Sequence, residues 1–267
     1  MESYQLASKQ IQFYRDQGYL QLPHLFSSTE MADLRAVLDE VVRQGRGRIL
    51  GEDREHDDDF KQVFRQLVNL WVDQPAVRQF TFDRRLADIA RQLAQCQAVL
   101  LHHDQALIKP GGERSRATNW HQDTPYYPMQ QNDALSAWIA VDDVSTENGC
   151  LQFLPGSHRF GSLEPVPFDV EGASIIDQMA QQGVTLDAVP VSMAMAAGGV
   201  SFHHGCLFHY ASPNRTEQPR RALTIIYTPD YVTYDGRWDP AGAAGLEIGK
   251  PFTGPQHPVL SVAAGAR

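Results

Sequence analysis

The residues best equipped for chemistry are His121 and Asp123 in the run Trp120-His121-Gln122-Asp123. In an extended segment alternate side chains share a face, so this spacing predicts that an imidazole and a carboxylate project together while Gln122 points away. A neutral imidazole and a carboxylate side by side are two of the three ligands of a 2-His-1-carboxylate metal site, which leaves coordination positions open for small molecules. The second imidazole must come from elsewhere. The run Phe202 to His209 offers His203, His204 and His209. From His209 the chain passes through Tyr-Ala-Ser-Pro-Asn-Arg-Thr-Glu-Gln-Pro to Arg220, which opens a further apolar segment. A guanidinium matches a carboxylate with a two-pronged hydrogen bond. Arg220 is thus placed to hold one end of a dicarboxylate whose other end chelates the metal.

The elements that must position these groups change character near Gln97. Before it the pattern is helical. Leu6, Ile11, Phe13 and Tyr14 form a stripe closed by Gly18. Tyr19 to Leu22 is a short extended piece ending at Pro23. Ser27 and Glu30 have capping-box spacing ahead of the stripe Met31, Leu34, Leu38 and Val41. The charged run Glu52 to Asp59 reads as a solvated loop. A second helical zone is expected over about 59–94, from Phe60, Val63, Leu67 and Leu70. Beyond Gln97, strands are expected at Ala98 to Ile108, Ser136 to Val144, Cys150 to Leu154, Val189 to Met195, Val200 to His204 and Leu223 to Thr228. Most are separated by Gly, Pro or Asn-Gly signals. Many short strands punctuated in this way predict a sandwich or barrel. The Gly-, Pro- and Ala-rich tail beyond Pro229 reads as irregular cover.

Three runs together resemble the phytanoyl-CoA dioxygenase family: Asn119 to Pro128 (NWHQDTPYYP), Glu147 to Gly161 (ENGCLQFLPGSHRFG) and His203 to Leu223 (HHGCLFHYASPNRTEQPRRAL). The resemblance is closest over about 97–229. It implies a mainly β chain with flanking helices, built on a double-stranded β-helix (jelly-roll, cupin-like) core. It also implies Fe(II), 2-oxoglutarate as co-substrate, O2, and release of succinate and CO2 as an unactivated C–H bond is hydroxylated. His121, Asp123 and His209 fall on the family's metal ligands and Arg220 on its co-substrate arginine. Gln105 and Trp138 fall on or near further co-substrate contacts. Relatives often carry Ser two residues after the distal His; here Ala211 stands there and Ser212 follows. Halogenating enzymes that resemble the family carry Ala or Gly at the carboxylate position, so Asp123 implies hydroxylation. The domain reading is a single dioxygenase domain over 1–267: 1–95 mainly helical, 96–230 jelly roll, 231–267 irregular cover.

Other candidates have plainer readings. Of His203 and His204, one is expected to face the interior near the site and the other to satisfy a surface hydrogen bond. Alternation predicts that only one of His102 and His103 points inward. His158 reads as a loop-fixing residue, Asp142, Asp143 and Glu147 as a solvated turn, and Arg221 as a structural residue on the face opposite Arg220. Tyr126 and Tyr127 close over the substrate or pack on the core.

A net charge of -9 argues against nucleic acid or an anionic membrane as partner. The expected partner is a small-molecule substrate; the oligomeric state is not legible. Three cysteines without framework spacing, and no signal-like N-terminus, predict a reduced, cytoplasmic protein with free thiols. The Asn214-Arg215-Thr216 sequon reads as coincidental. The rival functions are a jelly-roll hydrolase or isomerase using the same ligands with another metal, and a non-catalytic binding module. The first needs no partner for a dicarboxylate; the second needs neither the triad nor the arginine.

Overall fold

The computed structural model describes residues 4–44, 48–49, 65–163, 179–239 and 241–265. Helix α1 (Ser8–Gln17) ends where Gly18 turns left-handed at φ 82° and its N–H reaches the carbonyl of Tyr14 at 2.7 Å. Strand β1 (Tyr19–Leu22) follows at once. Helix α2 (Ser28–Arg43) starts on the capping box: Glu30 N–H donates to Ser27 Oγ at 3.2 Å, and Ser27 N–H to Glu30 Oε2 at 2.7 Å. Its stripe Met31, Leu34, Leu38 and Val41 is buried. Helices α3 (Leu70–Asp73), α4 (Pro75–Thr81) and α5 (Arg84–Ala94) complete this layer.

The remaining strands are β2 (Arg48–Ile49), β3 (Arg65–Val68), β4 (Ala98–Lys109), β5 (Thr118–His121), β6 (Leu135–Ala140), β7 (Leu151–Phe153), β8 (Val191–Ser192), β9 (Val200–His204), β10 (His209–Ala211), β11 (Arg220–Pro229) and β12 (Val259–Val262). They form two antiparallel sheets. The larger has the order β1-β9-β6-β11-β4-β3-β2, with β12 also on β4; the smaller is β5-β10-β7-β8. No pairing among the described residues closes them into a barrel.

Period-2 alternation decides which side chains face the helices. Leu223, Ile225 and Tyr227 of β11, with Ala137 and Ile139 of β6 and Phe202 of β9, join the helices in the largest apolar cluster. The alternate residues Ala222, Trp138 and Ala140 face inward and pack with Leu151 and Phe153 of the smaller sheet. The inner face of the larger sheet therefore carries polar groups into the space between the sheets.

Several expectations need correction. Leu67 lies in a strand, β3, which pairs with β4. Pairing with β4, which buries both Leu67 and Val68, wins over the helical spacing read through it; Phe60 and Val63, like the run Glu52 to Asp59, lie outside the described residues. The strand expected over Ser136 to Val144 stops at Ala140, and Val144 makes only an isolated bridge to Met195. The segment Val189 to Met195 shrinks to β8. The tail is not wholly irregular, because β12 adds an edge to β4. A bulge at His102, where Ile226 pairs with His103 and Tyr227 with Leu101, breaks the alternation, so both His102 and His103 are buried.

Candidate active site

His121 ends β5 and His209 opens β10, and the two are register partners across that ladder. Asp123 lies just past the strand end, at the head of a 3-10 turn over Thr124–Tyr126, with φ −77° and ψ −42°. Helical backbone, not the strand alternation expected, thus brings it beside His121. Gln122 does point away: its amide donates to the carbonyls of Gly161 (2.9 Å) and Cys206 (2.6 Å) and accepts from Leu163 N–H (2.8 Å). One ligand atom from each of His121, Asp123 and His209 lies within 4.8 Å of the others.

Hydrogen bonds prepare both imidazoles. His121 Nδ1 sits 2.7 Å from the carbonyl of Asn119, and His209 Nδ1 3.0 Å from that of Leu207. A carbonyl only accepts, so the hydrogen belongs on Nδ1 and each Nε2 presents a lone pair. The Nε2 atoms lie 3.7 Å (His121) and 3.6 Å (His209) from Asp123 Oδ1. Burial, reinforced by His209, pulls His121 down to about 4; burial also lowers His209. Burial alone would raise Asp123, but His209, His203 and His121 outweigh it and hold the carboxyl well below the usual carboxylate range. Two neutral imidazoles and one carboxylate suit a divalent cation of borderline softness.

Behind this trio the inner face carries a polar row. Gln105 on β4 pairs with Thr224 on β11, Thr224 with Trp138 on β6, and Trp138 with Ser201 on β9. Thr224 Oγ1, Trp138 Nε1 and Ser201 Oγ are buried and have no hydrogen-bond partner among the described residues. Gln66 of β3 donates its amide to Gln105 Oε1. Farther along β11 is Arg220, with Nη2 donating to the carbonyl of Gly149 at 3.0 Å and its guanidinium 5.4 Å from the Trp138 ring centre. Its Nε and Nη1 are buried and have no partner among the described residues. Burial pulls the guanidinium down to about 10. Buried donors of this kind are costly to leave unpaired, and an anion would satisfy them. Ser136, which touches Asp123, and Trp138, beside Arg220, are two residues apart on β6, roughly 7 Å of strand.

Lys109, the register partner of Arg220, anchors this end. Its Nζ donates to the carbonyls of Arg116 (2.9 Å), Ala211 (3.1 Å) and Ser212 (2.9 Å). Burial, then the Arg220 charge, lowers it to about 6, yet the three carbonyls use all three hydrogens of the protonated form. Ser212 Oγ bonds the carbonyl of Thr146 (3.1 Å), whereas among the described residues the hydroxyls of Thr224 and Ser201, beside Trp138, have no partner.

The histidines separate by face. His203 faces inward, 3.4 Å from Asp123 Oδ2. His204 accepts from Cys206 N–H (3.0 Å), lies 3.8 Å from Asp133, and lines a cleft of about 220 Å³ with Tyr14, His158 and Tyr231. His158 reaches the carbonyl of Arg15 (3.0 Å) and so fixes its loop. His102 and His257 flank Asp239 at 3.4 and 3.6 Å, tying the C-terminal segment to β4. Tyr127 is buried, its phenol raised by burial and then by Asp123, whereas Tyr126 is exposed. Asp142 is not a solvated turn residue: it pairs with Arg35 (2.7 Å) and Arg221 (3.0 Å), which puts Arg221 on the face away from Arg220. Asn214 is wholly buried and bonded to Thr216 and Gln218, so the sequon serves a turn. All three cysteines are free and buried.

Sequence reasoning missed Gln66, Ser136, Thr224 and Lys109. A hydroxyl or amide on an inward position of an apolar strand was the available signal for Ser136 and Thr224. For Gln66 it was hidden by the mistaken helix.

Comparison with known proteins gives a consistent answer. The family model described as phytanoyl-CoA dioxygenase matches residues 14–222. The methylphosphonate hydroxylase of Gimesia maris is 30% identical over 231 residues, 83% of this chain and 80% of that protein. Among solved structures, the non-heme alpha ketoglutarate dependent carbocyclase SnoK from nogalamycin biosynthesis superposes with a TM-score of 0.78 at 26% identity, over 96% of this chain and 97% of that one. The epimerase SnoN, solved with Fe3+, alpha ketoglutarate and nogalamycin RO, gives 0.76 at 25% identity, over 95% and 98%. No helix among the described residues is long and apolar enough to cross a membrane.

Proposed function

The chain belongs to the phytanoyl-CoA dioxygenase family, and from that premise we propose that His121, Asp123 and His209 hold Fe(II), that Arg220 anchors 2-oxoglutarate, and that the enzyme uses O2 to hydroxylate an unactivated C–H bond of a small molecule. The supporting observation is the pairing of a convergent His/Asp/His trio with a buried guanidinium whose Nε and Nη1 have no partner among the described residues. Relatives bound to iron and 2-oxoglutarate, or named for hydroxylation, support the same reading.

The protein's own contribution is geometric. The carbonyls of Asn119 and Leu207 fix the imidazole tautomers. Arg220, held by Gly149 and lying over Trp138, takes the distal carboxylate of the co-substrate, with Gln105 and Thr224 along its length. The apolar inner-face residues Phe153 and Leu151 keep water away from the reacting bond. Bound iron supplies the redox chemistry that couples oxidative decarboxylation of the oxo acid to oxidation of the substrate, yielding succinate and CO2.

The test is succinate release from 2-oxoglutarate under air by the Fe(II)-loaded chain, screened against small-molecule substrates with product analysis by mass spectrometry. A product heavier by one oxygen supports hydroxylation. Stimulated succinate release with a cyclised or epimerised product would retain the oxygenase and overturn hydroxylation.

A further inference from the structure

Asp123 turns its two carboxylate oxygens to different neighbours. Oδ1 faces Nε2 of His121 and of His209, at 3.7 and 3.6 Å. Oδ2 accepts from Ser136 Oγ at 3.1 Å and faces His203 Nε2 at 3.4 Å. Ser136 on β6 and His203 on β9 are register partners, so two adjacent strands deliver two donors to one oxygen.

The tautomers distinguish the three imidazoles. A carboxylate oxygen only accepts, so the hydrogen in the His203 contact belongs on Nε2. His121 and His209 have theirs on Nδ1, facing carbonyls, and keep Nε2 bare. His203 Nδ1 is buried and has no hydrogen-bond partner among the described residues. That ring is also wedged between Phe153 and His209, with centroids 5.2 and 4.9 Å away. His203 thus stands within reach of the metal position with the wrong nitrogen protonated for binding.

Resting on the iron site proposed above, we infer that His203 is a positioning residue which, with Ser136, holds Oδ2 of Asp123 so that the carboxylate meets the metal through Oδ1 alone. A carboxylate can bind a cation through one oxygen or both. With Oδ2 occupied by two donors, the second mode is blocked, and the position it would take stays open for co-substrate. Partners of this kind, behind the ligands, tune metal affinity by about 10–100-fold.

The experiment uses the full chain. Anaerobic Fe(II) titration of wild type is compared with His203→Leu, His203→Gln and Ser136→Ala, with folding checked by circular dichroism. His203→Leu and Ser136→Ala should each weaken Fe(II) binding about tenfold, and His203→Gln, whose amide can donate to Oδ2, should recover most of the loss. In the Zn(II)-loaded, 15N-histidine-labelled chain, His203 should carry a hydrogen on Nε2. Unchanged affinity in Ser136→Ala and His203→Leu, or a His203 Nε2 without hydrogen in the Zn(II) form, overturns the inference. If His203→Leu does not fold, Ser136→Ala and the tautomer decide. Wild type that binds no Fe(II) refutes the iron site itself, a different outcome from normal wild-type binding with insensitive variants.

Discussion

Arg220 donates one Nη2 hydrogen to the carbonyl of Gly149, and its buried Nε and Nη1 have no hydrogen-bond partner among the described residues. Gly149 in turn needs its left-handed backbone, φ 84°, to present that carbonyl. The pair fixes where an anion can be held, because the unpaired Nε and Nη1 are the donors left for it.

Removing the guanidinium should therefore strike the co-substrate and spare the metal. Charge-assisted hydrogen bonds contribute about 1.5–3 kcal/mol each, and ~1.4 kcal/mol already changes affinity tenfold. In Arg220→Ala, isothermal titration should show 2-oxoglutarate affinity at least about tenfold lower, with Fe(II) binding little changed. Unchanged 2-oxoglutarate affinity would reassign the anion site.

Gly149→Ala should act on the same site from behind. A Cβ there would overlap the carbonyl oxygen of Ser212 and sit 3.2 Å from Lys109 Cδ. The left-handed backbone alone costs a non-glycine residue about 1–2 kcal/mol. The expected outcome is a lower melting temperature together with weaker 2-oxoglutarate binding. Gly112→Ala is the control, with φ 75° but open space around its Cβ. It should lose stability only.

Metal affinity should be only weakly sensitive to pH near neutrality. A protonated imidazole competes with a cation, so ordinary histidines would make affinity climb as pH rises through about 6.5. Burial has lowered His121 to about 4 and lowered His209 too, and Asp123 is already ionised. Co(II) affinity should fall less between pH 8 and 6 than ordinary histidines would give, with the His121 contribution lost only as pH approaches about 4. A steady tenfold loss per unit between pH 7 and 6 would contradict this.

Asp104 lies behind the site, accepting from Trp71 N–H (3.0 Å) and Thr81 Oγ1 (2.7 Å), and burial raises its carboxyl to about 6. The folded state holds this proton more tightly than the unfolded chain does. Stability from this group is therefore greatest at low pH and is lost as pH rises from about 4 to about 6. At ~1.4 kcal/mol per pH unit the loss is about 3 kcal/mol. Asp104→Asn keeps an acceptor without the charge, though its amide hydrogens meet the unpartnered position of Oδ1 at a cost of about 1 kcal/mol. Urea denaturation at pH 8 should show the variant about 2 kcal/mol more stable; a less stable variant there would contradict the ionised-carboxylate reading.

The helices with capping signals, the apolar strands, and the HxD and His-to-Arg spacings were legible because each is a local pattern. Ser27 and Glu30 cap α2 as their spacing predicts, and Val200 to His204 is a strand from end to end. What was not legible depends on partners distant in sequence. Gln66 enters the site only because β3 pairs with β4, and Val259–Val262 becomes a strand only because β4 offers an edge. The bulge that turns His102 inward leaves no mark on composition. Asp123 converges on His121 through a helical turn that simple alternation does not describe.

His121, Asp123 and His209 should together hold iron that 2-oxoglutarate chelates. Anaerobic titration with Fe(II) should give about one site per chain, and adding 2-oxoglutarate should produce a weak visible charge-transfer band that His121→Ala and His209→Ala abolish. If His209→Ala retains full iron binding and the band, while His203→Ala or His204→Ala loses them, the assignment of the site is wrong.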